Sequence, residues 1–301
     1  MRVGIHVPQW GPEATRAGVL EVARAAEDSG LDSVWVADHI ALPVTMSTLY
    51  PYSRDGTTSF KPEDGFLDAL STLAVIAGAT ERVGLGTSVL VVGMRHPLAL
   101  AKAVATLDVL SQGRVILAVG AGWLKEEIEA LGADFATRGT RMRETVSALR
   151  RLWTAGRAGA EGTQVRFREM VCEPKPMQPG GPPIWVGGTS DAALRRAAEY
   201  GDGWHAVGSR VDLLVERRQR LEQFARGLSR DPSRLNFSTS TGLPADPALA
   251  LNRLRDLKRI GVDDAILNLP ADNVREMRVQ IERLAVDVLP ALRATPGEAA
   301  C

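Results

Sequence analysis

Cysteine is nearly absent. Only Cys172 and Cys301 occur in 301 residues, far apart in the chain, so no disulfide framework is expected and a reducing cytoplasm is the default setting. Neither charge sign is in excess: 36 Lys and Arg balance 36 Asp and Glu. No basic stripe is available to neutralise a phosphate backbone, which argues against a nucleic-acid partner. No apolar run approaches the ~20 residues that span a bilayer, so no membrane partner is expected. The opening Met-Arg-Val-Gly-Ile-His carries neither the longer apolar stretch nor the small-residue cleavage site of a signal peptide. There is no CxxC, no HExxH and no His-x-His on the first strand, since His6 is followed by Val7 and Pro8; no metal site is expected. A P-loop, a nucleophile elbow and a Ser-His-Asp order are also missing.

What the chain does have is alternation. Short β-branched runs at 3–7, 33–37, 83–92, 114–119, 184–186, 204–207, 235–239 and 265–269 are each followed by a stretch of helical period. Eight strand–helix units with continuous apolar strands predict a parallel sheet closed into a (β/α)8 TIM barrel. It forms one domain over residues 1–294, with a frayed tail at 295–301. Two stretches exceed the minimal unit, giving insertions after strands two and four. Residues 40–65 are rich in Pro and Tyr and are a candidate lid. Residues 156–183 suggest a small hairpin, Gln164–Arg168 with Val171–Glu173.

In such barrels the active site lies at the C-terminal strand ends. All four histidines fall there. His96, just before Pro97, reads as a helix cap or a packing residue. His6 and His205 read as pocket lining, with or without a part in the chemistry. His39 follows Asp38, and a carboxylate beside an imidazole sets its tautomer or raises its pKa; a catalytic or cofactor role and plain packing both remain open for it. Gly120 and Gly122 follow strand four. Lys125 occupies the third glycine position of a G-x-G-x-x-G fingerprint, so a Rossmann site fails. The pair marks either a tight turn or a backbone passing something large and flat. Strand five runs into Gly187, Gly188, Thr189 and Ser190 before a helix. Those residues suit an anionic phosphate at the helix N-terminus, and Ser190 equally suits a plain N-cap.

Several longer motifs carry a resemblance. They are SVWVADHI (33–40), YPYS (50–53), ERVGLGTSVLV (81–91), RHPLALAKAVATLDVLSQGR (95–114), VGAGWLKEEIEALG (119–132), PPIWVGGTSDAALRRAA (182–198) and GDGW (201–204). Together they resemble the luciferase-like monooxygenase superfamily, in its branch that uses the deazaflavin coenzyme F420. The resemblance implies a deazaflavin, or alternatively FMN, lying across the strand ends. It implies a cis peptide at Ser88–Val89 behind the cofactor ring, Asp38 at the ring edge, and His39 as proton donor or acceptor. It further implies Gly120 and Gly122 beside the ring and ribityl chain, Gly187, Gly188 and Thr189 around the phosphate, and a homodimer. The family's sugar-phosphate dehydrogenases carry a catalytic Glu where this chain has Trp123. Glucose 6-phosphate is therefore an unsuitable substrate, and Trp123 becomes a wall of an apolar substrate pocket or a packing residue. The implied activity is hydride transfer between the deazaflavin and a small organic substrate. A reduced-FMN monooxygenase is the alternative, and a non-catalytic binding barrel is a third reading.

Overall fold

In a computed structural model, which describes residues 1–53, 55–208 and 210–294, eight parallel strands close on themselves. They are β1 (Arg2–His6), β2 (Ser33–Val36), β3 (Gly84–Val91) and β4 (Val115–Gly120), then, after the antiparallel pair β5 (Ala158–Glu161) and β6 (Arg166–Met170), β7 (Ile184–Gly187), β8 (Gly203–Val207), β9 (Asn236–Gly242) and β10 (Asp264–Asn268). β10 returns to β1, with Val3 opposite Ala265. The (β/α)8 architecture read from the alternation is therefore the one observed. The tail expected at 295–301 lies outside the described residues.

Helices coat the barrel: α1 (Arg16–Asp28), α2 (Ala69–Ala77), α3 (Pro97–Leu110), α4 (Lys125–Ala130), α5 (Arg138–Thr154), α6 (Asp191–Tyr200), α7 (Val211–Gly227), α8 (Pro247–Arg259), α9 (Val274–Arg283) and α10 (Leu289–Arg293). Several of their starts are set by side chains that satisfy free N–H groups. Thr15 caps α1 by accepting from Gly18 N–H at 3.0 Å, and Asp246 caps α8 by accepting from Leu249 N–H at 2.9 Å. The helix expected to run unbroken from 274 to 289 is interrupted by a wide π turn over Leu284–Val288. Pro290 follows it and has no N–H to bond back with, so the regular ladder cannot continue.

The hairpin in the second insertion is also shifted from expectation. Arg166–Met170 pairs with Ala158–Glu161, and 171–173 is not a strand. The cause is remote in sequence. The Glu144 carboxylate on α5 accepts from the N–H groups of Thr163, Gln164 and Val165 at 2.8–3.1 Å and fixes the turn there.

Strand residues of one parity, such as Val34, Val36, Leu117 and Val186, join the helices in the outer core. Burying each such side chain stabilises the fold by ~1.5–3 kcal/mol. Residues of the other parity fill the lumen. Trp35 stacks on Trp185 at 5.6 Å and on the His205 ring at 5.7 Å. A Cβ at Gly86 would lie 2.3 Å from the Trp35 ring, so this glycine makes room for the indole. One barrel end is closed by Arg2, whose guanidinium donates two hydrogen bonds of 2.6 Å to Asp264. The other end, where the strands finish, is built differently.

Candidate active site at the C-terminal end of the barrel

β3 shifts register against β4 between Thr87 and Leu90, and the Ser88–Val89 peptide inside that stretch is cis. The Val89 side chain then fills the space above two neighbouring strand ends. A Cβ on Gly120 or on Gly187 would lie 2.6 Å from a Val89 methyl. Three adjacent strands thus end in a low floor formed by one valine and two glycines.

Asp38 and His39 leave β2 at one side of this floor. Asp38 is fully enclosed. Arg95 grips it through two hydrogen bonds of 2.7 and 2.8 Å, and Val91 N–H adds a third at 2.9 Å. Burial pushes the Asp38 carboxyl up while the guanidinium opposes that shift. Its oxygens are occupied by protein donors, so the carboxylate beside His39 in sequence is not its partner. That partner is Glu127 on α4, whose Oε2 lies 2.7 Å from His39 Nδ1. Glu127 Oε1 accepts from the N–H groups of Ile40 and Ala41 at 2.6 and 3.1 Å. A carboxylate can only accept, so His39 carries its proton at Nδ1 and leaves Nε2 free for chemistry.

The first insertion folds over this dyad. Phe60 and Phe66 approach the His39 ring at 5.1 and 5.3 Å, and Trp123 approaches edge-on at 6.0 Å. Trp10 stacks on Phe66 at 5.6 Å, and Tyr50 meets Trp123 at 5.1 Å. Two anchors hold the segment. Gln9 bonds Ala37 in both directions and donates to Leu67 O at 2.6 Å. Glu126, next to Glu127, accepts from Ser47 N–H, Thr48 N–H and the Thr48 hydroxyl at 2.8–3.0 Å.

Across the floor, Gly188 adopts φ of +111°, and its N–H donates to His205 O at 3.1 Å. A Cβ there would press on Ala193 at 3.0 Å, with the Tyr52 hydroxyl 3.7 Å away. Ser190 caps α6 by accepting from Ala193 N–H at 3.3 Å. Thr189, half-buried, lies between them. Asp191 in the first turn of α6 is countered by Arg217 and Arg220 at 3.3 and 3.1 Å. Gly122 has φ of +90° and packs its bare Cα toward Ile128 and Val91, which accounts for the tight turn.

The other histidines have different settings. His96 Nδ1 accepts from Leu98 N–H at 3.3 Å and caps α3. His205 is buried between the Ser88 and Ser238 hydroxyls at 2.9 and 2.8 Å, and burial pushes it down to about 3. His6 lies 3.2 Å from the Ser240 hydroxyl, and burial pushes it down to about 4. Both are neutral lumen groups below the floor. Among the sequence candidates, the structure gathers Asp38, His39, Trp123 and the glycines around one mouth and sets His6 and His205 beneath it. Sequence reasoning missed Glu127, Arg95, Phe60, Phe66 and Trp10. Glu127 sits in an acidic first turn that reads as ordinary helix-dipole complement. Nothing local connects it to a histidine 88 positions earlier.

Known proteins share this architecture. Residues 1–267 match the profile of the luciferase-like monooxygenases. An F420-dependent glucose-6-phosphate dehydrogenase from Intrasporangium calvum is 32% identical over 296 residues, covering 92% of this chain and 80% of that one. A Mycobacterium tuberculosis protein of uncharacterised role is 30% identical over 270 residues, covering 87% and 91%. In three dimensions, an F420-dependent secondary alcohol dehydrogenase superposes with a TM-score of 0.80 at 20% identity, covering 97% of this chain and 99% of that one. The monooxygenase RslO1 from Streptomyces bottropensis does so with a TM-score of 0.77 at 22% identity, covering 97% and 99%.

Proposed function

Because the chain belongs to the luciferase-like monooxygenase family of enzymes, we propose that it is a coenzyme F420-dependent oxidoreductase acting on a small organic substrate. The observation that carries this reading is the His39–Glu127 dyad, held at 2.7 Å beside a floor made of Val89, Gly120 and Gly187. The two relatives named F420-dependent glucose-6-phosphate dehydrogenase, at 34% and 32% identity, support the choice of cofactor.

The residues present fit a planar cofactor. Val89, Gly120 and Gly187 leave a surface against which a flat ring can lie. Gly187, Gly188 and Thr189 at the start of α6 suit its phosphate, because small residues there leave room for an anion at the positive end of the helix, with Gly188 N–H itself taken by His205 O. When bound, a deazaflavin supplies hydride transfer at a ring carbon. The chain's own tasks are then orientation, dryness and the proton. Asp38 acts through Arg95 and Val91 N–H, fixing the end of β3 against the loop after β2. The rings of Tyr50, Phe60 and Phe66 exclude water. His39 Nε2 takes or returns the substrate proton, and Glu127 keeps the imidazole in the tautomer that permits it.

We also propose a homodimer in a reducing cytoplasm. Val75 on α2 with Val109 and Leu110 on α3 are exposed apolar residues on neighbouring helices, a surface suited to a second copy. Cys172 is an unpaired, buried thiol.

The test is titration of the apo protein with F420 and with FMN, followed by turnover with each reduced cofactor. Tight F420 binding with hydride transfer and no oxygenation is the expected result. Oxygenation with reduced FMN and no F420 binding would replace this reading with a flavin monooxygenase. Binding of neither would leave a non-catalytic barrel.

A further inference from the structure

Below the floor, the barrel lumen carries a chain of hydrogen bonds that the chemistry at His39 does not use. Ser88 Oγ lies 2.9 Å from His205 Nε2, His205 Nδ1 lies 2.8 Å from Ser238 Oγ, and the Ser238 hydroxyl lies 3.3 Å from Trp204 O. His205 and Ser238 are fully enclosed, whereas Ser88 is half-buried. Enclosure keeps the imidazole neutral, so it has one N–H and one lone pair to place. Its orientation is fixed by Trp35, whose ring stacks on it with the planes 6° apart and whose Nε1 donates to Ser33 Oγ at 2.8 Å.

These partners give the chain a direction. A carbonyl can only accept, so the Ser238 proton goes to Trp204 O. Ser238 Oγ then accepts from His205 Nδ1–H, and His205 Nε2 accepts from the Ser88 hydroxyl. With the imidazole protonated at Nε2 instead, Ser238 would donate to Nδ1 and the bond to Trp204 O would be lost. The first arrangement makes three bonds and the second makes two. Ser88 immediately precedes Val89, the side chain that overlies Gly120 and Gly187. Its single proton is drawn down into the lumen, so the polar atom it adds to this floor offers lone pairs.

We infer that His205 is a positioning residue, which holds the Ser88 hydroxyl so that Ser88 Oγ accepts a ring N–H of the planar cofactor. The inference rests on the floor being the cofactor seat, as proposed above, and adds a donor–acceptor preference to it. A ring N–H satisfies Ser88, whereas a ring carbonyl or an N-methyl group set against it does not.

The probe is lumiflavin, a fluorescent, uncharged ring system whose oxidised form has one ring N–H, at N3. Its 3-methyl derivative lacks that donor. Fluorescence titration of the cofactor-free protein should show lumiflavin binding roughly tenfold more tightly than the methylated ring. In Ser88→Ala the ratio should fall to about twofold or less, since the acceptor is gone. His205→Phe keeps a ring against Trp35 but frees the Ser88 proton, and the ratio should fall in the same way. A merely structural role for His205 would weaken both ligands in parallel and leave the ratio unchanged. Ser88→Ala carries the test alone should His205→Phe fail to fold. 15N–1H correlation of the imidazole rings should show His205 protonated at Nδ1. Protonation at Nε2, no saturable binding of lumiflavin, a parent ratio near one, or a ratio indifferent to Ser88→Ala overturns the inference. F420 binding and turnover alongside any of these leaves the oxidoreductase reading standing. Discrimination through Ser88 with no F420 binding sinks that reading and keeps the role of His205.

Discussion

Replacing Glu127 with Gln changes one atom and should reverse a histidine. The Ile40 and Ala41 N–H groups both point at Oε1, at 2.6 and 3.1 Å. They require an acceptor, so the glutamine carbonyl takes that position and its NH2 faces His39. His39 Nδ1 can then no longer donate and must accept, which moves the ring proton to Nε2. A neutral imidazole protonated at Nε2 cannot receive a substrate proton. Turnover in the oxidative direction should therefore fall by about 10²–10⁴-fold, the ordinary contribution of general acid–base help. KM should change little, because the rings around His39 are untouched. Loss of a charge-assisted bond at a site with 2% exposure should also cost about 1.5–3 kcal/mol of stability. The direct assay is 15N–1H correlation of the imidazole rings, which reports which nitrogen carries the proton without any cofactor. Parent protein should show His39 protonated at Nδ1 and the variant at Nε2. An unchanged tautomer, or full turnover with the tautomer reversed, refutes the reasoning.

Further outcomes follow from neighbouring groups. Arg95→Leu leaves the buried Asp38 carboxylate without its guanidinium and should cost about 3–5 kcal/mol in urea unfolding, with Asp38→Asn recovering part of it. Gly188→Asp forces an acidic L-residue into φ of +111° beside Ala193, and cofactor titration should show at least a roughly tenfold loss of F420 affinity. His6 and His205, pushed down to about 4 and about 3, bind fewer protons folded than unfolded. Their full stabilising effect is present above the unfolded value near 6.5 and is lost as pH falls from there toward the folded values. The loss at pH 5 is about 2 kcal/mol each. Urea midpoints at pH 7 and pH 5 should differ accordingly, and His205→Gln should remove about half of the difference.

The sequence made the fold legible because parallel strands buried on both faces, such as SVWV at 33–36, leave an uninterrupted apolar signal. Most strand ends were read within a residue, helped by the glycines that close β4 and β7, whereas β9 runs on to Gly242, three residues past the expected 239. Features created by distant side chains were not legible. The hairpin turn is set by Glu144 and the histidine's partner is Glu127, and each contact spans many residues. Adjacency misled at Asp38, whose nearest neighbour in sequence is His39 but whose strongest contact is Arg95, 57 positions later. Phe60 and Phe66 lie in or beside a proline-rich insertion with no period, so nothing there marked them as walls of a site. The cis peptide at Ser88–Val89 was expected from resemblance to a family rather than from any local rule.

Glu126 and Glu127 are consecutive residues on the six-residue helix α4, yet they hold different things. One secures the covering segment at Ser47 and Thr48; the other secures the imidazole. A displacement of α4 would disturb both attachments together, so the cover and the proton group share one mechanical mount.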